Sequence, residues 1–195
     1  MIWPPERLHL PPLPQLPTGY RLRTYQPGDE ERYYEVMALS GWPGWDEATL
    51  QPWLARIPPE SWWVVVRDGS GEGVDESDDG LIVASAMGLH DHTNWHPFGG
   101  ELGWVASDSA HRGRGLGRAV CAAVTARLIQ AGYRNIHLYT EDYRLSAIRT
   151  YLGLGYVPYT PTPAMAQQWH EVHLALAGAD DGKLKIFAGG KNQHE

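Results

Sequence analysis

A single cysteine, Cys121, in 195 residues excludes an internal disulfide framework and a cysteine-based zinc finger. It falls on the apolar side of a helical pattern, where a small core residue is expected. Positive charge is also scarce: 16 Lys and Arg against 23 Asp and Glu give a formal net charge of −7. General nucleic-acid binding needs a basic footprint and is not expected. No apolar run approaches the length that spans a bilayer, and no charged-then-apolar leader opens the sequence. The expectation is a cytoplasmic protein without membrane association. There is no internal repeat, and the length suits one domain with extensions.

Tryptophan, proline and glycine are plentiful instead. Trp42, Trp45, Trp53, Trp62 and Trp63 crowd one stretch, which implies a dense core or an aromatic-lined site. "WPPERLHLPPLPQLP", residues 3–17, is too proline-rich for a helix or a central strand, and reads as an extended or polyproline arm. The organisation read from these shifts is an arm over 1–18, a folded domain over 19–160 and a C-terminal helix and tail over 161–195.

Within the domain, a short alternating strand from Tyr20 precedes a turn at Pro27–Gly28 and a helix near Asp29. A Gly/Pro loop leads to an N-cap at Asp46 and a second short helix. "SWWVVVRD" and "GLIVASAMGLH" are strands, separated by an acidic glycine-rich stretch, "GSGEGVDESDDG", that has almost nothing to bury. "GGELGWVAS" is a fourth strand, and Leu116 to Ala131 is the clearest helix, with Gly132 as its stop. "NIHLYT" predicts a fifth strand, "LSAIRTYLGLG" a helix, "YVPYT" a sixth strand and "MAQQWHEVHLALA" a last helix. The order β-α-α-β-β-β-α-β-α-β describes a mixed α/β layer.

The most informative segment is "AHRGRGLGRAV", residues 110–120, because its arginines run against the average charge of the chain. Strand, glycine-rich turn, then helix makes a helix N-terminus into an anion site: free N–H groups point outward and the macrodipole favours negative charge. Gly115 and Gly117 would let the backbone approach a phosphate closely, and Arg112, Arg114 and Arg118 would add charge-assisted contacts. The segment lacks the GK[ST] ending of a P-loop and the first glycine of a dinucleotide fingerprint. The plainer alternative is a set of solvated charges on a packing turn.

"RGRGLG", Arg112 to Gly117, resembles the pyrophosphate-binding pattern of the GNAT superfamily of acetyl-CoA-dependent N-acetyltransferases. The pattern is Arg or Gln, two residues, Gly, one residue, then Gly or Ala. "RLSAIRTYLGLGYVP", 144–158, is similar to that family's second signature, with Ala147, Ile148, Tyr151 and Gly155–Tyr156 in the matching places. The resemblance covers Tyr20 to about Thr160. It implies a mostly antiparallel twisted sheet, splayed between strands four and five and flanked by helices. It implies acetyl-CoA as co-substrate, its pyrophosphate on the backbone of Arg112, Gly113, Arg114, Gly115, Leu116 and Gly117, its pantetheine arm along Trp104, Val105 and Ala106.

On the same resemblance, a backbone N–H near Trp104 would stabilise the oxyanion formed when a primary amine attacks the acetyl carbonyl. Tyr151 takes the place of the general acid that protonates the departing thiolate, the alternative being a packed core tyrosine. Glu101, eleven residues before Arg112, is placed like the catalytic glutamate of the histone-acetylating branch. Beside Trp104 its pKa would be raised; a strand-end carboxylate in water is the other reading. Two positions depart from the family. Tyr139 stands where relatives that acetylate protein N-termini carry a glutamate, and Arg144 replaces a common asparagine. Arg144 is expected to reach a phosphate or an acidic acceptor.

"HDHTNWH" holds His90, His92 and His96; alternation at 90 and 92 can place two imidazoles on one face as metal ligands, yet no acidic or cysteine ligand completes a recognised spacing, and no metal is expected, loop histidines or an acceptor-side base being the alternative. Trp42 and Trp45 flank Pro43–Gly44 in the loop that borders the acceptor site in the family, where aromatic rings would favour an apolar, aromatic or cationic acceptor; closing the core edge is the alternative. The rival functions are a non-catalytic acyl-CoA-binding or sensor module, and a partner-binding protein that uses the proline arm and tryptophan surface. A homodimer through a strand edge is compatible with the fold.

Overall fold

The computed structural model describes residues 1–69 and 80–188. The interior of the acidic stretch after Gly69 and the glycine-rich tail from 189 therefore lie outside the described residues. Contacts divide the chain into one unit, Ile2–Tyr139, and another formed by Thr140–Glu195 with Met1.

The first unit is a five-stranded sheet in the order β1-β2-β3-β4-β5. Its strands are β1 (Tyr20–Thr24), β2 (Trp62–Arg67), β3 (Ile82–Asp91), β4 (Gly99–Ser107) and β5 (Ile136–His137). Neighbours pair antiparallel except β4 and β5, which run parallel. Helix α1 (Glu30–Leu39) follows a turn in which Asp29 takes a bidentate ion pair from Arg23 at 2.6 and 2.8 Å. Helix α2 (Glu47–Leu54) starts as expected at Asp46, whose carboxylate accepts from Thr49 N at 2.8 Å. Helix α3 (Leu116–Gln130) buries Val120, Val124 and Leu128, and Cys121 is buried within it.

Strand alternation divides the core between the two sheet faces. Trp62, Val64, Met87 and Leu89 share a buried cluster with Tyr33, Val36 and Met37 of α1 and Leu50 of α2. The intervening face packs on α3, where a Cβ at Gly88 or Gly100 would meet Leu128 at 3.2 Å. Each fully buried aliphatic here stabilises the fold by about 1.5–3 kcal/mol. The proline arm is rooted in this unit: Trp3 N donates to Ile136 O at 2.8 Å, Ile2 bridges His137, and a short 3-10 turn covers Pro5–Arg7.

The second unit contains α4 (Leu145–Leu154) and α5 (Pro163–Ala188). Helix α4 ends at Gly155, whose φ of 121° stops the helix as the sequence predicts. Arg149 on α4 donates to Leu176 O on α5 at 2.8 Å. Two elements differ from expectation. Residues 156–160 hold a single bridge residue, Val157, and form no strand, because Pro158 and Pro161 remove ladder donors. The last helix is longer than its apolar pattern, starting at Pro163, where a missing N–H is tolerated.

Candidate active site

The segment after β4 forms a turn of 3-10 helix (Ser109–His111), then an open loop into α3. Gly113 and Gly115 have φ of 76° and 78°, a region that L side chains resist. Gly115 is the N-cap of α3, and no side chain caps the helix there. A Cβ at Gly117 would meet nothing within 4 Å. Packing therefore does not explain that glycine, whereas a group approaching the helix end would. Arg112, Arg114 and Arg118 are exposed around this turn, with Leu116 buried beneath it. Arg114 lies over the Tyr20 ring at 5.9 Å, and Tyr20 Oη is 2.8 Å from His111 Nδ1. The turn thus combines open N–H groups, a helix dipole and guanidinium charge, all suited to a pyrophosphate.

Strand β4 is irregular at Trp104 and Val105. Ser85 pairs with Ala106 and Met87 with Gly103, so Trp104 and Val105 together oppose Ala86 in a β-bulge. Trp104 has φ of 48°, well inside the left-handed region. Its ring receives Trp42, Trp45 and Trp53 edge-on at 5.6, 4.7 and 4.9 Å. The tryptophans of the α1–α2 loop therefore pack on β4 and hold its bulge, each still partly exposed. Strand β5 pairs only with Gly100 and Glu101 of β4. Beyond that point, among the described residues, Leu102–Ser107 has no strand on the β5 side, the separation expected for a splayed sheet.

Glu101 sits where the pairing ends. Its partners were hidden from linear reading. Leu89 pairs with Glu101, Asp91 with Gly99 and Glu101 with His137, so alternation brings Asp91, Glu101 and His137 to one sheet face. Arg56, just past α2, reaches the same point: its Nη2 donates to Asp91 Oδ1 at 2.7 Å and lies 3.4 Å from Glu101 Oε2. Its guanidinium also covers Trp53 at 4.8 Å. His137 Nε2 is 3.1 Å from Asp91 Oδ2, and the imidazole is fully buried. Space for it exists because Gly99 has no side chain; a Cβ there would come within 2.7 Å of His137 Cε1.

Burial, then the charge of Asp91, pushes the Glu101 carboxyl up to about 7, while Arg56 opposes them. A carboxylate that titrates there can accept a proton at neutral pH. His137 is held well below its ordinary value, by burial first and by the neighbouring His96 second. With its Nε2–H donated to Asp91, the buried Nδ1 is a bare lone pair, which costs less to leave without a partner than an N–H would.

Donor atoms of Asp91, Glu101 and His137 lie within 4.8 Å of one another, as a metal site requires, but the Arg56 guanidinium already sits between the two carboxylates, 2.7 Å from Asp91 and 3.4 Å from Glu101. The three histidines singled out by spacing do not converge. His90 Nδ1 meets Tyr133 Oη at 3.1 Å, His92 Nδ1 accepts from Phe98 N at 3.1 Å, and buried His96 meets Asn135 Oδ1 at 3.1 Å. In the second unit, Tyr151 is buried on α4, its ring 6.4 Å from that of Tyr156. Arg144 pairs with Glu141 at 2.7 Å and covers the Tyr143 ring at 5.5 Å. Among the described residues no helix is long and apolar enough to cross a membrane.

Comparison with known proteins identifies a family. The sequence model of the Acetyltransferase (GNAT) family matches residues 24–156. A mycothiol acetyltransferase of Thermobispora bispora is 32% identical over 154 residues, covering 76% of this chain and 50% of that protein. One from Saccharomonospora viridis is 35% identical over 157 residues, with coverage of 74% and 48%. A GCN5-related N-acetyltransferase from Sphaerobacter thermophilus superposes with a TM-score of 0.57 at 28% identity, over 74% of this chain and 43% of that one. The chain spans about half the length of the curated relatives it matches.

Proposed function

The chain belongs to the Acetyltransferase (GNAT) family, and from that premise we propose that it transfers an acetyl group from acetyl-CoA to a primary amine. The observation that carries the proposal is the termination of β4–β5 pairing at a partly buried carboxyl, Glu101, on the strand that leads into the open α3 turn. A thioester donor needs both parts: an anion cradle for its pyrophosphate and a base near its reacting end.

The residues suited to hold acetyl-CoA are Arg112, Gly113, Arg114, Gly115, Leu116, Gly117 and Arg118 at the pyrophosphate, with Trp104, Val105 and Ala106 along the pantetheine arm. The bulged backbone there supports an N–H donor to the developing oxyanion. The amine nitrogen forms a bond to the acetyl carbon as Glu101 takes its proton. The carbon–sulfur bond then breaks, and Tyr151 gives the thiolate its proton. Arg144, whose Nε lies 2.7 Å from Glu141, is proposed to reach a phosphate or an acidic acceptor.

The acceptor is proposed as a class, a primary amine approaching past the aromatic cluster of Trp42, Trp45 and Trp53. The acceptor of the mycothiol acetyltransferases is one candidate. The test is release of free CoA thiol from acetyl-CoA, followed against a panel of primary amines with and without apolar side groups. Amine-dependent release that is lost in Glu101→Gln supports the proposal. Tight acetyl-CoA binding with no amine-dependent release across the panel favours a sensor module instead.

A further inference from the structure

Asp91 has no part in the proton transfers above, yet it is the best-held side chain beside them. We propose that Asp91 is a positioning residue for Glu101: it draws the Arg56 guanidinium to itself and so sets the proton affinity of the base. The proposal rests on the acetyl-transfer reading only where it concerns rate.

The geometry is an unequal sharing. One nitrogen of Arg56 faces two carboxylates and lies 2.7 Å from Asp91 but 3.4 Å from Glu101. Arg56 cannot easily redistribute itself. Its carbonyl accepts from His90 N at 2.6 Å, its Nε donates to His90 O at 3.2 Å, and its guanidinium covers Trp53. Asp91 is fixed from the other side. His137 holds its second oxygen at 3.1 Å. His137 in turn stacks on His96 at 3.8 Å with rings 8° from parallel, and Asn135 holds His96. Two carboxylates competing for one arginine, with the nearer one clamped, leave the farther one weakly paired.

The consequence is chemical. A carboxylate in a close ion pair with arginine has its proton affinity lowered by about 10- to 1,000-fold, which makes a poor base at neutral pH. Without Asp91, Glu101 is the carboxylate left to Arg56. The ionisable groups facing Glu101 are Arg56 beyond α2, Asp91 on β3, His137 on β5 and Tyr139 just after it. Of these, Asp91 supplies the negative charge that supports the effect of burial on Glu101, and Arg56 the positive charge that opposes it.

The test titrates Glu101 directly, without turnover. The intact chain, labelled with 13C at the glutamate Cδ, is followed by NMR across pH, and Glu101→Gln assigns the resonance. Asp91→Asn is expected to lower the proton affinity of Glu101 at least tenfold, and Asp91→Glu to restore part of it. Arg56→Gln is expected to raise it. An unchanged or increased affinity in Asp91→Asn overturns the proposal. If Asp91→Asn fails to fold, Arg56→Gln decides alone, and no upward change there overturns it. The acid limb of kcat/KM, measured in the same variants, should move with the NMR midpoint. If the midpoint moves and the limb does not, the positioning role stands and the assignment of Glu101 as base falls.

Discussion

Glu101 and His137 face each other as the last residue pair of the β4–β5 ladder. Past them β4 continues as far as Ser107, paired with β3 but, among the described residues, with no strand on its β5 side, and the chain then turns into the open N-terminus of α3. The same pair therefore marks both the end of the β4–β5 pairing and the position of a partly buried carboxyl. A split sheet with a carboxyl at its apex is a shape into which a thioester and an amine can be brought together.

Replacing Glu101 by Gln keeps the volume of the side chain and removes its proton affinity. Turnover should fall by roughly 10²- to 10⁴-fold, with acetyl-CoA affinity little changed. In the unmodified protein, kcat/KM should fall on acidification with a midpoint near the value of about 7 set mainly by burial of this carboxyl. A pH–rate series on both proteins checks it.

The same carboxyl has a measurable effect on folding. Its folded pKa of about 7 stands above the ordinary 4.5. Between those values the folded chain holds a proton that the unfolded chain has released, so this group's contribution falls as pH rises through the window. His137 has the opposite sign: its folded pKa is depressed below 6.5, so stability is lost as pH falls below that value. Glu101→Gln should remove the first slope and leave the second. Its stability, from urea midpoints at about pH 5 and about pH 7, should then rise with pH more steeply than that of the unmodified protein.

Tyr151→Phe should lower kcat by roughly 10²-fold and leave the dissociation constant for acetyl-CoA unchanged, because only the departing thiolate needs its proton. Calorimetric binding beside steady-state rates separates the two effects. Unchanged turnover would remove Tyr151 from the reaction.

Trp3 is 2% exposed and its backbone donates to β5. Trp3→Ala should destabilise the chain by about 3–5 kcal/mol, seen as a lowered urea midpoint. Substitutions at exposed Leu10 and Leu13 of the same arm should have almost no effect on stability.

The sequence could reveal the α3 turn because its chemistry is local: glycines and arginines at fixed spacing ahead of a helical stripe. Glu101 was singled out only through resemblance, by a place similar to that of a catalytic glutamate in one branch of the family. Asp91, His137 and Arg56 were not, since strand register and a loop after α2 bring them together. One signal was present. If His90 and His92 share one face of an extended chain, Asp91 between them points to the other, and that face carries the site. The sixth strand was misread because an apolar run outweighed Pro158 and Pro161. The depth of the proline arm was hidden because nothing local tells that Trp3 pairs with β5.

The most direct test of the account is a calorimetric titration of acetyl-CoA into the purified chain beside Gly117→Glu. Position 117 is open to its surroundings, so the substitution should leave the thermal midpoint nearly unchanged. It should weaken acetyl-CoA binding at least tenfold by placing bulk and negative charge where the pyrophosphate is proposed to rest. Saturable binding that the substitution abolishes is the predicted result. No binding by the unmodified chain, or equal binding by both, would contradict the assignment of the α3 turn as the cofactor cradle.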